Sequence, residues 1–170
     1  TKKLWKFCAE RETRLIYASS AAVYGNGALG FSDDDSKLYD YRPLNPYGYS
    51  KVIFDRWAFE HPERPKQHVG LRFFNVYGPN EAHKNEMASV VFHGFRQIQE
   101  TGKMRLFKGD AGIGDGEHKR DFVYVKDVAS VVKHFIERPD VSGIYNVGTG
   151  CARSFNDLAR AVFSAIGRPP

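Results

Sequence analysis

The sequence predicts an α/β fold built on a parallel sheet. Short apolar segments alternate along the chain with helical patterns of about 11–16 residues, an order typical of parallel strands joined by right-handed crossovers. Of the 170 residues, 42% are hydrophobic and 14% are aromatic, which is enough to form a buried core. No apolar run approaches the roughly 18–20 residues of a membrane span, so we expect no membrane protein.

The elements up to residue 45 follow from local patterns. Apolar residues at helical spacing predict a first helix over 2–12, and the apolar run over 14–20 predicts a short buried strand. This strand ends in the small hydroxyl residues Ser19 and Ser20. The region 25–45 is rich in Gly, Asp and Ser, so we expect an irregular loop there.

A helix and a strand follow this loop. Asn45 is a favourable N-cap and Pro46 a favourable first-turn residue, so a helix is predicted to begin here and to end before Pro62. The apolar run over 68–76 predicts the next strand. The turn pair at 78–79 predicts the loop after it.

The middle of the chain is predicted to hold one helix and one short strand. Helical spacing predicts a helix over 87–100, which Gly102 would close at its C-terminal end. The segment 104–107 predicts a short strand, and the glycines of 109–116 predict a flexible loop.

The last part of the chain repeats the strand–helix order. An extended segment is predicted over 120–125, followed by a helix over 127–136 whose first residue, an aspartate, would be its cap. A further strand is predicted over 143–147. Residues 154–157 resemble a capping box and predict a last helix over 154–166.

Charge and composition narrow the functional class. The 25 basic and 20 acidic residues give a net charge of +5, and the basic residues are scattered along the chain. This pattern favours a solvated surface, or a few cations for one small anionic ligand, over a nucleic-acid site. The six histidines have no metal-ligand spacing, so no metal site is predicted. Two distant cysteines and an N-terminus without an apolar stretch favour the cytoplasm.

A serine, a tyrosine and a lysine carry the strongest chemical signal. Tyr47 and Lys51 lie four residues apart at a helix start, so both project from one face. A cation within about 4–6 Å favours ionisation of a phenol, which allows proton exchange near neutral pH. Ser20 ends a strand, and ligands of parallel sheets bind beyond the carboxyl ends of the strands. The three side chains together would form a site for hydroxyl/carbonyl redox chemistry.

A glycine motif near this strand is not interpreted as a cofactor site. Residues 25–30 fit G-x-G-x-x-G by letter, but no helical pattern follows them. A dinucleotide fingerprint begins a helix, so we expect only a loop here.

Five segments resemble the extended short-chain dehydrogenase/reductases, a group of NAD-dependent epimerases and dehydratases. They are the serine-containing strand 17–25, the Tyr-x-x-x-Lys helix 43–51, and the segments 71–79, 120–129 and 145–150. They occur in the family's order and cover nearly the whole chain. The resemblance implies the second part of a Rossmann-type doubly wound parallel sheet, with part of a smaller substrate-binding region at about 77–120.

The same resemblance implies that residues 1–170 are a partial domain that holds its catalytic half. We expect a dinucleotide-binding βα unit before Lys2 and a C-terminal tail after Gly167 to be missing, so the isolated chain is expected to be inactive. The implied cofactor is NADP, with NAD as the alternative, because the selecting residues would lie in that first unit.

One segment indicates the subfamily. Residues 81–89 contain the pattern His-Lys-x-x-Met-Ala-Ser and resemble ADP-L-glycero-D-manno-heptose 6-epimerases; UDP-galactose 4-epimerases and sugar dehydratases do not carry it. In those epimerases the lysine of this pattern, Lys84 here, lies across the substrate from the tyrosine. The resemblance implies inversion of C6 of ADP-D-glycero-D-manno-heptose by transient hydride transfer to bound NADP, in heptose biosynthesis for the lipopolysaccharide core.

The resemblance also implies the catalytic and cofactor-binding roles. Tyr47 and Lys84 would be two acid/base residues, one for each orientation of the hydroxyl at C6. Lys84 would need a nearby cation or burial to act as a base. Lys51 would hold the nicotinamide ribose and tune Tyr47, and Ser20, rather than Ser19, would hydrogen-bond the reacting oxygen. Cofactor contacts would come from Val76, Tyr47, Lys51 and Lys84.

The implied substrate contacts are spread along the chain. They are Ser20, Asn75, Glu86, His93, Phe107, Lys108, Gly109, Asp110, Arg120 and Tyr124. Residues 107–110 would wrap the adenosine diphosphate, and Arg120 would pair with the diphosphate because a guanidinium fork suits phosphate oxygens. The implied partners are the ADP-heptose and further copies of the chain in a homo-oligomer, a pentamer in the family, with neither nucleic acid nor membrane.

Two alternatives stay open. The first is another nucleotide-sugar enzyme of this superfamily, such as a UDP-sugar 4-epimerase. A 4,6-dehydratase is disfavoured because Ala21 and Ala22 follow Ser20, and no Asp-Glu pair stands there. The second alternative is a non-catalytic binding fragment of the same fold.

Overall fold

The computed structural model describes residues 1–110 and 112–170, so Ala111 of the predicted loop 109–116 lies outside the described residues. Five α-helices lie in the described chain: α1 Lys2–Glu10, α2 Pro46–Glu60, α3 Val90–Thr101, α4 Val125–Ile136 and α5 Phe155–Ala165. The strands described are β1 Leu15–Ser20, β2 His68–Phe73, β3 Asn75–Tyr77, β4 Lys119–Tyr124, β5 Gly143–Val147 and β6 Ala152–Ser154. The alternation of helices and strands confirms the predicted α/β class.

The chain divides into two compact units. The first unit contains residues 1–74 and 129–147, and the second contains 75–128 and 148–170. The first unit therefore consists of two separate stretches of sequence, and the second unit is formed partly from the stretch between them.

The first unit is built on a parallel three-stranded sheet. Its order is β1-β2-β5, with β2 in the centre. Val69 and Leu71, on one face of β2, are fully buried, and Arg72, on the other face, is 1% exposed, so the central strand is covered on both faces. The predicted parallel sheet is thus confirmed in this unit.

Two apolar clusters hold the first unit together. The first cluster packs the indole of Trp5 in α1 edge-on against Phe54 of α2, beside Leu15 of β1. The Trp5 ring is fully buried, and its N–H donates to the carbonyl of Glu63, so the polar atom of the indole is satisfied. The second cluster packs side chains that lie before and within the predicted loop against α2; its members are Val23, Tyr24, Leu38, Tyr41 and Val52.

The predicted loop 25–45 is irregular but not loosely attached. It contains a short 3₁₀ turn, Asp35–Lys37, and begins directly after another, Ala21–Tyr24. Residues 25–30 open no helix, as expected for a glycine motif that is not a dinucleotide fingerprint. Leu38 and Tyr41 are buried and anchor the loop in the core.

The second unit has a mixed sheet of three short strands. β3 and β4 are parallel, and β4 and β6 are antiparallel. Helices α3 and α5 pack together through Ile98, Leu158, Val162 and Phe163. Ser154 caps α5 by accepting the N–H of Asp157, whose carboxylate accepts the N–H of Ser154 in return, so the predicted capping box is confirmed.

Several predicted boundaries were wrong. The single strand predicted over 68–76 is divided at Phe74 into β2 and β3, which lie in different sheets. Periodicity alone cannot show such a break, because both pieces belong to one apolar run. Residues 104–107 are irregular rather than a strand, and the N–H of Arg105 donates to the side chain of Gln97 instead of a neighbouring strand.

Two helix starts also differ from the prediction. Helix α3 begins at Val90 rather than at residue 87, because Ser89 is its N-cap and accepts the N–H of Phe92. Helix α4 begins at Val125, directly after β4, so Asp127 is not the cap but lies inside the first turn. A carboxylate there still favours the helix, through the partial positive charge of its N-terminus. Strand β6 was not predicted, since it has only three residues.

Candidate active site

The start of α2 carries Tyr47 and Lys51 on one face, as the spacing predicts. The ammonium nitrogen of Lys51 lies 5.5 Å from the ring centroid of Tyr47. The helix begins here because the side chain of Asn45 accepts the N–H of Gly48, and Pro46 fits the first turn. Tyr47 is 57% exposed, so its hydroxyl is accessible to a ligand.

A glycine brings this helix start close to the strand that ends in Ser20. A Cβ atom on Gly48 would lie 2.7 Å from the carbonyl oxygen of Ala22, in the 3₁₀ turn that follows β1. Such contacts are tighter than side chains tolerate, so only glycine permits the approach. The structure therefore places the predicted Ser20 and the Tyr47–Lys51 pair around neighbouring pieces of backbone in one unit.

The two serines at the end of β1 have different surroundings. The hydroxyl of Ser19 donates to the buried carboxylate of Asp55 at 2.8 Å. The oxygen of Ser20 accepts the N–H of Ala22 at 3.1 Å, and this contact leaves the Ser20 proton to be donated elsewhere. A role for Ser20 on the reacting oxygen is chemically consistent with this difference.

Lys51 is fixed by the backbone of β1. Its ammonium donates to the carbonyl of Ala18 at 2.8 Å, which uses one of three donors. The two remaining donors suit vicinal hydroxyls, such as those of a ribose. The donor set therefore fits the predicted contact with a nicotinamide ribose.

Beneath this edge lies a buried ion pair that the sequence analysis missed. The guanidinium of Arg72 in β2 donates to the carboxylate of Asp55 in α2 at 3.2 Å, and the two side chains are 1% and 0% exposed. The same carboxylate accepts the hydroxyl of Ser19. Burial raises the pKa of Asp55, against the attraction of Arg72 and the bond from Ser19. The signal was present, since both charges interrupt otherwise apolar patterns.

In the second unit, Lys84 lies in the 3₁₀ turn Ala82–Met87. Its ammonium lies 3.9 Å from the carboxylate of Glu81, and the side chains of Lys84 and Glu81 are 45% and 5% exposed. Lys84 was expected to have a neighbouring cation or to be buried. In the structure its ion-pair partner is an anion, and its side chain is 45% exposed. Glu86 is exposed in the same turn.

Glu81 is a second residue that sequence analysis missed. Its carboxylate accepts the backbone N–H groups of Gly78 and Ser89 and the hydroxyl of Ser89. Burial by itself would raise the pKa of Glu81, but the hydrogen bonds from Ser89 and Gly78 outweigh burial and lower it. Its sequence signal is weak, because an acidic residue after Gly-Pro-Asn is typical of any exposed loop.

Three predicted ligand contacts lie on the parallel strands of the second unit. Asn75 begins β3, is exposed, and donates its amide to the carbonyl of Asp121 at 3.2 Å. Val76 pairs with Val123 of β4. The ring of Tyr124, at the end of β4, lies 5.7 Å from that of Tyr77. These residues share the β3–β4 pair.

Two residues predicted to contact the adenosine diphosphate, Phe107 and Arg120, both lie against the ring of Phe155. Phe107 packs edge-on against Phe155 at a centroid distance of 5.0 Å, and the guanidinium of Arg120 lies 5.9 Å from the same ring. Arg120 is exposed and directly opposite Arg153 in the β4–β6 pairing. Like charges in such positions repel each other, so an anion would be favourable there.

The remaining predicted substrate contacts are less concentrated. Lys108 is exposed, and the N–H of Gly109 donates to the side chain of Asp115 at 2.6 Å. Asp110 lies 2.9 Å from a ring nitrogen of His118, so its carboxylate already has a partner. His93 is half-buried at the start of α3.

Asp121 organises the loop after β5, a function the sequence did not predict. Its buried carboxylate accepts the N–H groups of Thr149 and Gly150 and the hydroxyl of Thr149. The loop 148–150 is thereby fixed to β4 within the second unit.

The described residues contain neither a metal-binding cluster nor a helix that could span a membrane. No group of three or more His, Cys, Asp or Glu side chains within 1–110 and 112–170 could hold a metal ion. No helix in that same part of the chain combines the length and apolarity required to cross a bilayer.

Comparison with known proteins identifies the relatives. The chain is 55% identical over 168 residues to the ADP-L-glycero-D-manno-heptose-6-epimerase of Fusobacterium nucleatum, with 97% of this chain and 51% of that protein covered. The solved Helicobacter pylori ADP-L-glycero-D-manno-heptose-6-epimerase superimposes with a TM-score of 0.82 at 34% identity, over 96% of this chain and 49% of the other.

A second solved relative acts on a different sugar nucleotide. The Thermus thermophilus UDP-glucose 4-epimerase, in complex with NAD, has a TM-score of 0.75 at 28% identity, and the match covers 97% of this chain and 52% of that one. The chain thus spans about half the length of the relatives it matches.

A family profile covers most of the chain as well. Residues 1–148 match the family described as the NAD dependent epimerase/dehydratase family. The match includes the Ser20, Tyr47 and Lys51 positions whose geometry is described above. The chain therefore belongs to the NAD dependent epimerase/dehydratase family.

Proposed function

We propose that the protein containing this chain is an ADP-L-glycero-D-manno-heptose 6-epimerase, an isomerase that inverts C6 of ADP-D-glycero-D-manno-heptose. The observation that carries this proposal is the arrangement of Ser20, Tyr47 and Lys51 at one edge of the parallel sheet. The identity of 55% to a relative of that name supports the substrate class. Residues 81–89 contain the lysine pattern of such epimerases.

The carbon at C6 carries no acidic proton, so simple deprotonation cannot invert it. The chemistry that a bound nicotinamide supplies is reversible acceptance of a hydride. Lys51 would hold the ribose of this cofactor with its two remaining donors. Family membership and the NAD complex of a solved relative support a nicotinamide, and NADP is the form we propose.

Tyr47 would move the proton of the C6 hydroxyl. The ring of Tyr47 lies beside the ammonium of Lys51, and its hydroxyl oxygen would take the proton of the C6 hydroxyl as the C–H bond breaks. The hydroxyl of Ser20 would donate to the C6 oxygen and hold it in place. These roles require only groups that the first unit already positions.

Lys84 would serve the other orientation of the hydroxyl. Inversion requires that the C6 carbonyl present its opposite face, so the oxygen moves and a second proton donor is useful. The ammonium of Lys84 is 45% exposed and lies 3.9 Å from Glu81, so it would supply the proton that the C6 oxygen needs when the hydride returns; solvent would then restore the protons of Tyr47 and Lys84. Lys84 is therefore proposed first as the acid of the return step.

The substrate's nucleotide half would bind the second unit. Arg120 beside Phe155 would receive the diphosphate, and residues 107–110 would lie along the adenosine. Asn75, Glu86, His93 and Tyr124 would contact the sugar side. We further propose a cytoplasmic homo-oligomer, a pentamer as in the resembling family, that supplies heptose for the lipopolysaccharide core.

The test is an assay of the complete gene product with two substrates. We expect ADP-D-glycero-D-manno-heptose to be converted to its C6 epimer and UDP-galactose to remain unchanged. NMR of the sugar measures both conversions. Because a solved relative is a UDP-glucose 4-epimerase, conversion of UDP-galactose instead would replace the proposal with that alternative. Absence of both activities would favour a non-catalytic protein.

A further inference from the structure

A buried carboxylate joins both ends of the segment that carries Lys84. Gly78 precedes this segment and Ser89 follows it, and both donate their backbone N–H groups to Glu81, at 2.9 and 2.7 Å. The hydroxyl of Ser89 donates to the same carboxylate at 2.8 Å. One side chain thus closes the loop 78–89 within the second unit.

The loop 78–89 contains a residue in an unfavourable backbone conformation. Asn85, directly after Lys84, has φ of 48° and ψ of −124°, so the 3₁₀ turn is kinked there. A non-glycine residue with such positive φ is uncommon, and the surroundings must maintain it. The hydrogen bonds from Gly78 and Ser89 to Glu81 bracket this kink, one on each side.

Glu81 also reaches Lys84 itself. Its second carboxylate oxygen lies 3.9 Å from the ammonium of Lys84. The carboxylate is held by three donors and is 5% exposed, whereas the lysine side chain is 45% exposed. Glu81 has three hydrogen bonds besides the ion pair, so its carboxylate can act as the fixed partner of Lys84.

The link continues into α3. Ser89 is the N-cap of α3 and accepts the N–H of Phe92 at 3.2 Å, while it donates to Glu81. The position of the Lys84 segment is thereby set relative to the helix start and not only to its own backbone. Glu100 in α3 is a contrasting carboxylate, because it is exposed and pairs only with Arg96, four residues earlier in the same helix, among the contacts described.

We propose that Glu81 is a positioning residue for Lys84. This inference rests on the proposed function, since it assumes that Lys84 donates or accepts a proton at the sugar. Glu81 acts through Lys84 and does not touch the substrate. Its contribution is to hold the loop 78–89 closed and to restrict the lysine to one place.

The experiment is a double-mutant cycle in the complete gene product, with the epimerisation of ADP-D-glycero-D-manno-heptose as the assay. Glu81→Gln keeps the volume but removes the negative charge and one acceptor. We expect kcat to fall about 10–100-fold with KM changed less than about threefold, because a misplaced acid/base group slows the chemical step. In a Lys84→Met background the same change should lower kcat less than about twofold.

Controls separate positioning from folding. Glu100→Gln removes an exposed carboxylate of α3 and should leave kcat unchanged, and the melting temperature of every variant is measured alongside. If Glu81→Gln fails to fold, Ser89→Ala removes one donor to Glu81 and should lower kcat about 3–10-fold, again without further loss in the Lys84→Met background.

The outcomes are distinguishable. Wild-type activity in Glu81→Gln, or an equal loss with and without Lys84, would overturn the positioning role while the proposed function stands. Absence of epimerisation in the wild-type protein would overturn the proposed function first. Loss of kcat only where Lys84 is present would support both.

Discussion

Two tyrosines at the start of α2 allow a matched test of the proposed acid/base role of Tyr47. Tyr47→Phe removes the hydroxyl beside Lys51, and we expect kcat of the complete gene product to fall at least about 100-fold, the lower range for losing a general acid/base. Tyr49→Phe removes the hydroxyl of another exposed tyrosine two residues away, 42% exposed against 57% for Tyr47, and should change kcat less than about twofold. Similar losses in both variants would show that Tyr47 has no special role.

Burial distinguishes two arginine–carboxylate pairs of equal length. Arg72 contacts Asp55 at 3.2 Å in the core, and Arg96 contacts Glu100 at 3.2 Å on the surface. Arg72→Met leaves a buried carboxylate without its cation, so we expect the free energy of unfolding to fall by about 3–5 kcal/mol. Arg96→Met should cost about 0–1 kcal/mol. Urea unfolding measures both, and equal losses would contradict the importance of burial.

At the residue scale, spacing predicted what depends on local geometry. Tyr47 and Lys51 lie on one helical face because the helix repeat places residues four apart together. The partners of Asp55 and Glu81 depend on which strands and loops meet in three dimensions, and no local repeat contains that information. Asp55 could still have been suspected, since it falls among the buried positions of α2.

The capping box of α5 predicts a pH-dependent contribution to stability. A hydrogen bond from Arg160 and then those from Ser154 lower the pKa of Asp157 from 3.8 to about 2. A lowered pKa stabilises the fold above the unfolded value, and this contribution is lost as pH falls from about 4 towards 2. Asp157→Asn should therefore be less stable than wild type at pH 7, with the difference shrinking below pH 4.

Urea unfolding at pH 7, 4 and 2.5 measures this difference. Ser154→Ala is the companion variant, and loss of this N-cap should cost about 1 kcal/mol. A constant difference between wild type and Asp157→Asn at all three pH values would show that the ionised carboxylate does not stabilise the helix.

Two glycines of the loop 25–45 predict different tolerance to a side chain. Gly25 and Gly30 have φ of 62° and 78°, so alanine is strained at either position by about 1–2 kcal/mol. A Cβ on Gly25 would also overlap the carbonyl oxygen of Arg42, whereas one on Gly30 meets nothing within 4 Å. Gly25→Ala should lose about 1–3 kcal/mol more than Gly30→Ala. Equal losses in urea unfolding would contradict the overlap.

At the element scale, the order of helices and strands could be predicted, but some boundaries could not. Helix α2 begins where Asn45 and Pro46 indicate, because capping is a local interaction. The division between β2 and β3 depends on different neighbours, β5 for one and β4 for the other. The apolar run over 68–76 does not indicate which strand each part pairs with, so the division could not be predicted.

At the scale of the whole molecule, the 170 residues are expected to be insufficient for turnover. The chain spans about half the length of the relatives that it matches, and residues that complete a nicotinamide site are expected in the other half of such a protein. We expect the isolated chain to convert less than about 1% of the ADP-heptose that the complete gene product converts, a loss consistent with removing cofactor binding. Comparable turnover by the isolated chain would contradict this prediction.

The family resemblance added what physical patterns alone could not. Periodicity, capping and charge predicted an α/β fold and a tyrosine–lysine pair, but many reactions suit such a pair. Five segments in the family's order indicated a Rossmann-type sheet among the possible α/β folds. The lysine pattern at 81–89 indicated an ADP-heptose among the possible sugar nucleotides. The carboxylates of Glu81 and Asp121 accept hydrogen bonds from the loops around these motifs. These contacts depend on the three-dimensional fold and could not be predicted from the sequence.

The discontinuous first unit has a consequence for biosynthesis. The ribosome delivers β1 and β2 early, but β5, the second neighbour of β2, emerges only after the stretch 75–128 has been made. During that interval one long side of an apolar strand has unpaired N–H and C=O groups, a template for pairing with other nascent chains. Chaperone dependence and inclusion-body formation should therefore be set by the delay before β5 arrives, and slower translation across 75–128 should lower the soluble yield.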